Sequence, residues 1–367
     1  MNRSMDLAKR EFERILIIKP SSLGDVAHAL PVLNGLRHRH PRARISWLIA
    51  TGCRELLQGH PQIDELIPFD RKRYGQMAGS LRISGEFMEF VSSLRDRRFD
   101  LVIDLQGLFR SGFLAWASGA KTRIGFARAR EFAWLFYSHR VPPGDPDEHA
   151  VMRYYRVAPM LGFADVPIEF RLHVPPEARA SAESLLADAA VGPGERFALV
   201  TPGARWETKI WPAGKIAAVC EYLYRVRGLK IVLAGGPGEM ADCRAVAAAA
   251  GVPTGNLCGR TSLRDLIALI DASSILISNE SGPMHVAVAL GRPVAGVVGP
   301  TNPRRNGPFS TNSRIVRHAL PCSPCYLKKL SQCRHGHACM RGVEAAEVIE
   351  AVEALLEQPL PAAEAGR

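Results

Sequence analysis

No run of about 20 apolar residues occurs anywhere in this chain of 367 residues, so no segment is expected to cross a bilayer as a helix. The first apolar stretch, Ile15-Leu16-Ile17-Ile18, is four residues long and follows a charged, mixed segment, so no secretory signal is expected either. Internal repeats are absent, and only the tail after Gln358 is of low complexity, rich in Ala and Glu. No glycine pattern matches the Walker loop or the dinucleotide fingerprint. Acidic residues are in deficit: 36 Asp and Glu against 47 Lys and Arg leave a formal net charge of +11. That balance suits an anionic partner, whether nucleic acid, nucleotide or anionic membrane surface, without choosing among them. Cys53, Cys220, Cys243 and Cys258 are scattered through expected core or helix positions, the setting of reduced thiols in a cytoplasmic protein.

What the chain does contain is alternation. Short strand-like runs at 15–19, 45–49, 65–69, 101–105 and 123–126 are separated by amphipathic stretches such as 26–38 and 85–97. The pattern pauses at Val174-Pro175-Pro176, where 178–189 reads as a connecting helix, and restarts with strands at 197–201, 230–234, 275–278 and 294–298. The expected division is an N-terminal domain over 1–175, a linker over 176–195, a second domain over 196–343 and a C-terminal helix and tail over 344–367. Both domains are expected to be doubly wound, Rossmann-like α/β units facing a central cleft, with ligands bound beyond the carboxyl ends of the strands.

The residues just after those strands carry the chemistry. Lys19-Pro-Ser-Ser-Leu-Gly-Asp25 follows the first strand, with Gly24 permitting a tight turn and His28 one helical turn beyond Asp25. Asp25 reads two ways: an N-cap satisfying backbone N–H groups, or a carboxylate that takes a proton from a bound hydroxyl. A helix N-terminus favours the ionised form and so makes Asp25 a weak base. The fourth strand ends in Asp104-Leu-Gln106-Gly-Leu-Phe-Arg110-Ser, and Arg128, Arg130, His139, Arg140 and His149 add positive charge downstream. Each is either a solvated surface residue or a contact for an anionic ligand.

In the second half, Lys209 lies in a loop with Trp206 and Trp211 and suits a diphosphate; an aromatic there suits a base or sugar. Glu239, in Ala-Gly-Gly-Pro-Gly-Glu, either accepts from a ribose or favours the following helix start. Residues 278–301 read as strand, polar turn, helix and strand, a unit that aims free N–H groups at an anion or simply packs as a capped helix. Cys322, Cys325, Cys333 and Cys339 are permissible ligands of a structural zinc, with His335 and His337 among them, though the last spacing is not that of a standard second pair. Four sulfur ligands would leave no open position for catalysis.

Taken together, Lys19 to Pro31, Asp104 to Ser111, Arg130 to Tyr137, His149 to Val151, Lys209 to Trp211, Asn279 to His285 and Gly299-Pro-Thr301 resemble the bacterial lipopolysaccharide heptosyltransferases, glycosyltransferase family 9. The string around Asp25 looks most like the enzyme that adds the first heptose. The resemblance implies a GT-B fold with an acceptor-binding N-terminal domain, a donor-binding C-terminal domain and a last helix packed back across the join. It implies an inverting transfer of heptose from ADP-heptose to the lipopolysaccharide inner core, at the sugar acid on lipid A or at the first heptose. Asp25 matches the general base, and Ser22, Gly24, Gln106, Arg110 and Arg130 fall on the acceptor side. Lys209 matches the diphosphate contact; Ser281, Gly282 and His285 cradle the nucleotide-sugar, with Glu239 and Thr261 on the nucleoside side. Glu280 stands where relatives usually carry Asp, which puts its donor contact in question. No metal is expected in catalysis, and the protein is expected to be cytoplasmic and peripheral at the inner membrane. The alternatives are a family 9 enzyme with another donor sugar or later acceptor, a sugar-nucleotide epimerase, and a zinc-dependent nucleic-acid binder. The last lacks finger spacing and an interleaved basic and aromatic strand pattern.

Overall fold

The computed structural model describes residues 4–357, so the Ala/Glu-rich tail lies outside the described residues. The chain divides between His173 and Val174 into two compact units. The first holds β1 (Arg14–Ile18), β2 (Arg44–Ala50), β3 (Glu65–Phe69), β4 (Leu101–Asp104), β5 (Thr122–Phe126) and β6 (His139–Val141), in the order β3-β2-β1-β4-β5-β6. The second holds β7 (Phe197–Thr201), β8 (Lys230–Leu233), β9 (Thr254–Asn256), β10 (Ile275–Asn279), β11 (Val294–Val297) and β12 (Ser313–Val316), in the order β12-β11-β10-β7-β8-β9. Every pairing is parallel. Each unit runs outward from its first strand, returns, and runs outward the other way, which is the doubly wound Rossmann order. The order reverses between β1 and β4 in one unit and between β7 and β10 in the other.

The central strands form because their apolar runs have no polar face to show. Ile15, Leu16, Ile17 and Ile18 are buried, as are Leu101, Val102 and Ile103 beside them. Strands covered on both faces read as continuous hydrophobic runs, and these do. The three strands that the sequence pattern does not reveal, β6, β9 and β12, all lie at sheet edges. They are three or four residues long and only partly buried, so they carry no apolar run.

Several expected elements differ in extent. A single helix over 26–38 is instead two, Leu23–Ala27 and Leu30–Arg39, because Pro31 has no N–H to continue the first ladder and sits in the opening turn of the second. Within the expected linker, Pro176–Asp188 is a helix that packs on Leu263–Ala272 of the second unit. The last helix, Ala345–Leu356, buries Val348, Val352 and Leu355 in the second unit's own core, against the Ala213–Arg225 helix, β11 and β12. Its i, i+4, i+7 stripe is thus occupied by that unit's core.

Gly125 on β5 leaves room for a side chain that matters below. A Cβ there would lie 2.3 Å from the Tyr137 ring. Gly125→Ala is therefore expected to force the ring aside and destabilise the protein by about 1–3 kcal/mol, as overpacked cores do. Urea unfolding of the full chain checks this, and an unchanged midpoint would contradict it.

Candidate functional site

In the first unit the chemistry gathers beyond β1 and β4, at the reversal of strand order. Lys19 directly follows β1, and its side chain is 3% exposed. Its ammonium lies 3.7 Å from Asp25 Oδ1 and 4.7 Å from the Tyr154 ring centroid, and it donates to the Leu105 carbonyl at 3.4 Å. Asp25 Oδ2 accepts from the Ser22 N–H at 3.1 Å and from Ser22 Oγ at 2.7 Å, closing a capping box on the Leu23–Ala27 helix. Asp25 Oδ1 accepts from the Tyr154 hydroxyl at 2.8 Å. Ser22 is the N-cap and Asp25 the third helical residue, so Asp25 serves the helix start through the Ser22 N–H rather than as the cap itself, and its side chain stays 37% exposed. Burial would raise its pKa; the Lys19 charge and the Ser22 and Tyr154 hydrogen bonds outweigh that and hold it well below the ordinary carboxylate range. Burial likewise raises the Tyr154 hydroxyl, with the Asp25 charge adding to it. His28 is buried with its ring 5.3 Å from that of His149, whose side chain accepts from the Val151 N–H at 3.2 Å.

The turn after β4 is built by Asp104, which is fully buried. Its Oδ1 accepts from the N–H groups of Gln106 (2.9 Å) and Gly107 (3.1 Å), and its Oδ2 accepts from the Tyr137 hydroxyl at 2.7 Å. Gly107, at φ +67°, passes its carbonyl to the Arg130 N–H at 3.0 Å, so the loop bearing Arg130 is tied to the same turn. Burial raises the Asp104 pKa against those hydrogen bonds. Gln106 Oε1 is buried with no partner, an acceptor left open beside the exposed Arg110 and Arg130. Arg128 is also exposed, and Arg140 stacks on Trp134 while donating to its carbonyl at 3.0 Å.

The second unit repeats the placement beyond β7 and β10. Lys209 Nζ pairs with Glu280 Oε1 at 3.1 Å and lies 4.6 Å from the Trp206 ring centroid. Burial raises the Glu280 pKa, opposed by the Lys209 charge, and its other oxygen accepts from the Thr301 hydroxyl. Asn279 is the frame: Nδ2 donates to the Pro202 carbonyl at 2.6 Å, and Oδ1 accepts from the Trp211 N–H at 3.1 Å, fixing both ends of the Lys209 loop to β10. Ser281 opens the Gly282–Ala289 helix without a side-chain cap, its hydroxyl being 3.1 Å from that of Ser278, and His285 is buried in the first turn. Glu239 accepts from the Gly236 N–H at 2.7 Å and packs over Gly203, where a Cβ would approach its Cγ to 2.6 Å. Thr261 is half-buried, one residue before the Ser262 cap of Leu263–Ala272.

The four late cysteines are free, Cys339 buried and Cys325 exposed. Among the described residues, no group of three or more His, Cys, Asp or Glu side chains is arranged to hold a metal. The structural zinc expected at Cys322, Cys325, Cys333 and Cys339 is thus unconfirmed, with Cys322, Cys325 and Cys333 all acting electrostatically on the Cys339 thiol. The segment grips the Lys209 loop: His337 Nε2 donates to the Thr208 carbonyl at 2.7 Å, the Thr208 hydroxyl donates to the Leu327 carbonyl, and the Leu330 N–H donates to Glu207 at 3.1 Å. Sequence reading missed Tyr154, Tyr137, Asn279 and His337 as parts of these sets. Each acts across a long sequence separation, and only the strand-end position of Asn279 was a readable signal.

A family profile described as glycosyltransferase family 9 (heptosyltransferase) matches residues 87–335. The chain is 31% identical over 319 residues to a lipopolysaccharide heptosyltransferase 1 of Pseudomonas aeruginosa, covering 86% of each. A glycosyl transferase family 9 structure from Veillonella parvula superposes with a TM-score of 0.82 at 25% identity, over 95% of this chain and 98% of that one. An Escherichia coli heptosyltransferase with ADP has the same fold, with a TM-score of 0.74 at 24% identity, over 93% and 99%.

Asp25 makes a testable contribution to acid stability. A carboxylate held below its unfolded value, about 3.9, adds stability at pH above that value, and the stability is lost as pH falls through the depressed folded pKa. Tyr154→Phe removes one hydrogen bond that favours the anion, so Asp25 is expected to titrate at higher pH in the variant. Carboxyl carbon-13 titration checks it; an unshifted or lower midpoint would refute the coupling.

Proposed function

The chain belongs to glycosyltransferase family 9, the heptosyltransferases, and from that premise we propose that it transfers a heptose from ADP-heptose to the sugar acid on lipid A, inverting the anomeric configuration. One observation carries this reading: in each unit a lysine–carboxylate pair lies beyond the carboxyl ends of the two strands where the order reverses, where such sheets bind ligands. In the first unit the carboxylate is the partly exposed member; in the second it is buried under the lysine.

An acceptor hydroxyl attacks the anomeric carbon as the bond from that carbon to the diphosphate oxygen breaks, and the proton passes to Asp25. A carboxylate as weakly basic as Asp25 accepts that proton late, once bond formation has made the hydroxyl oxygen acidic. Ser22 and Tyr154 fix its direction, while Lys19 keeps it ionised. Gly24 keeps the turn tight. Gln106 offers its open carbonyl oxygen to an acceptor hydroxyl, and Arg110 and Arg130 meet the acceptor's acidic groups. The departing ADP gathers charge on its diphosphate; Lys209 and the N-terminus of the Gly282–Ala289 helix, with Ser281 and His285, are suited to offset it. Glu280 then acts on Lys209 rather than on the sugar, holding the ammonium until the diphosphate competes for it. Glu239 and Thr261 fall to the nucleoside side. An acceptor anchored by lipid A places the work at a membrane surface, which suits a peripheral protein; among the described residues no helix is long and apolar enough to cross a membrane.

Incubation with ADP-heptose and lipid A bearing its sugar acid should yield, by mass spectrometry, a product heavier by one heptose. Asp25→Ala is expected to lower turnover by about 10²–10⁴-fold with ADP-heptose affinity nearly unchanged, and loss of donor affinity instead would remove Asp25 from the role of base. Lys209→Ala should weaken ADP binding measured by calorimetry; wild-type affinity would disprove the diphosphate contact.

A further inference from the structure

Apart from Arg110 and Arg130, neither reactive set uses the outer face formed by the Phe109–Ala117 helix and the Ala133–Phe136 turn, which pack on each other. Phe109, Phe113 and Trp116 follow the i, i+4, i+7 spacing of one helical stripe. Phe109 meets Phe136 at 5.3 Å between ring centroids, and Phe113 meets Trp116 at 5.9 Å. The inner rings are covered, but Phe109 is 52% exposed, Trp116 49%, Phe132 67% and Leu135 61%. Phe132 and Leu135 are three apart at the start of a 3₁₀ turn, where that spacing puts side chains on one side.

The backbone adds a second observation. Glu131 and Phe132 both adopt left-handed conformations, φ 53° and 58°, which bulky L residues avoid. The turn is pinned by the Glu131 carboxylate accepting from the Phe109 N–H at 3.2 Å and by the Ala133 N–H donating to the Arg130 carbonyl at 3.0 Å. The result is a strained turn that holds an aromatic ring out in water, unfavourable twice over for a fold that gains nothing from it. Charge is equally one-sided: between Gly107 and Val141 the sequence carries Arg110, Lys121, Arg123, Arg128, Arg130 and Arg140 against the single acid Glu131. All of those cations but Arg123 are exposed.

We propose that this face docks the protein onto an anionic lipid bilayer, with Phe132, Leu135, Phe109 and Trp116 entering the boundary between headgroups and acyl chains and the surrounding cations meeting lipid phosphates. Aromatic rings flanked by arginine match that boundary, which is apolar below and anionic above. The inference deepens the reading of a lipid-linked acceptor, on which it rests for its purpose, and it specifies the surface that reading leaves open.

Flotation of the full chain with vesicles tests it in the absence of donor and acceptor. Vesicles of phosphatidylglycerol and phosphatidylethanolamine should carry the wild-type protein upward, vesicles of phosphatidylcholine alone should not, and salt should weaken the binding. The double variant F132S/L135S should bind about tenfold more weakly or worse. W116S serves as an independent variant, and a melting curve checks that each folds. Wild-type protein that ignores anionic vesicles or binds neutral ones equally would overturn the proposal, as would variants that float like the wild type. Light scattering that shows a dimer lost in F132S/L135S would assign the face to self-association instead. Transfer to a water-soluble, deacylated acceptor reads the reaction separately: failure there with normal flotation defeats the proposed reaction alone, and the reverse defeats the docking alone.

Discussion

Parallel strands cannot leave a face bare, and that constraint organises both halves of this protein. Helices must return over one face of each sheet and then over the other, so the strand order has to reverse once, and at the reversal two neighbouring crossovers depart in opposite directions. The gap between β1 and β4, and that between β7 and β10, follow from this alone. Into each gap the chain delivers a helix start with unsatisfied N–H groups and a turn short enough to fix the side chains it bears. The two lysine–carboxylate pairs described above lie in those two places.

The two gaps solve the same electrostatic problem in opposite ways. A lysine buried beyond a sheet's strand ends loses much of its hydration, and an unpaired ammonium there would be costly. Lys19 finds Asp25 and the face of Tyr154; Lys209 finds Glu280 and the face of Trp206. In the first unit the anion is left partly in solvent, free to meet a hydroxyl. In the second the carboxylate is almost wholly buried and the ammonium is the more accessible partner, suited to an anion arriving from outside. The two units thus share one motif, a lysine–carboxylate pair, with the exposure of its two members exchanged.

The central architecture was legible because strands such as Ile15–Ile18 and Leu276-Ile277 declare themselves by unbroken apolar residues, and the reactive turns because they follow directly. The edge strands β6, β9 and β12 were not, since half-exposed strands of three or four residues have no pattern to read. Pro31 could have revealed the break between the two early helices. Partners of the reactive residues were invisible for a different reason: Tyr154 reaches Asp25 across 129 residues, and His337 reaches Thr208 across the same separation, and no local spacing encodes such meetings. The cysteine spacing pointed to a metal that stays unconfirmed, and it gave no sign of the hydrogen bonds by which this segment holds the loop at 206–209.

That last arrangement has a mechanical consequence. The loop bearing Lys209 is moored at Asn279 on one side, and on the other it is fastened by Leu327, Leu330 and His337, with Lys328 sharing the Trp206 ring. Because a carbonyl can only accept, the His337 bond to Thr208 exists only while Nε2 carries a proton. Lys209 is therefore seated like a cantilever whose far support is a loop assembled more than a hundred residues later in synthesis. The first half of that domain, folded by itself, would possess the lysine yet have nothing to brace it.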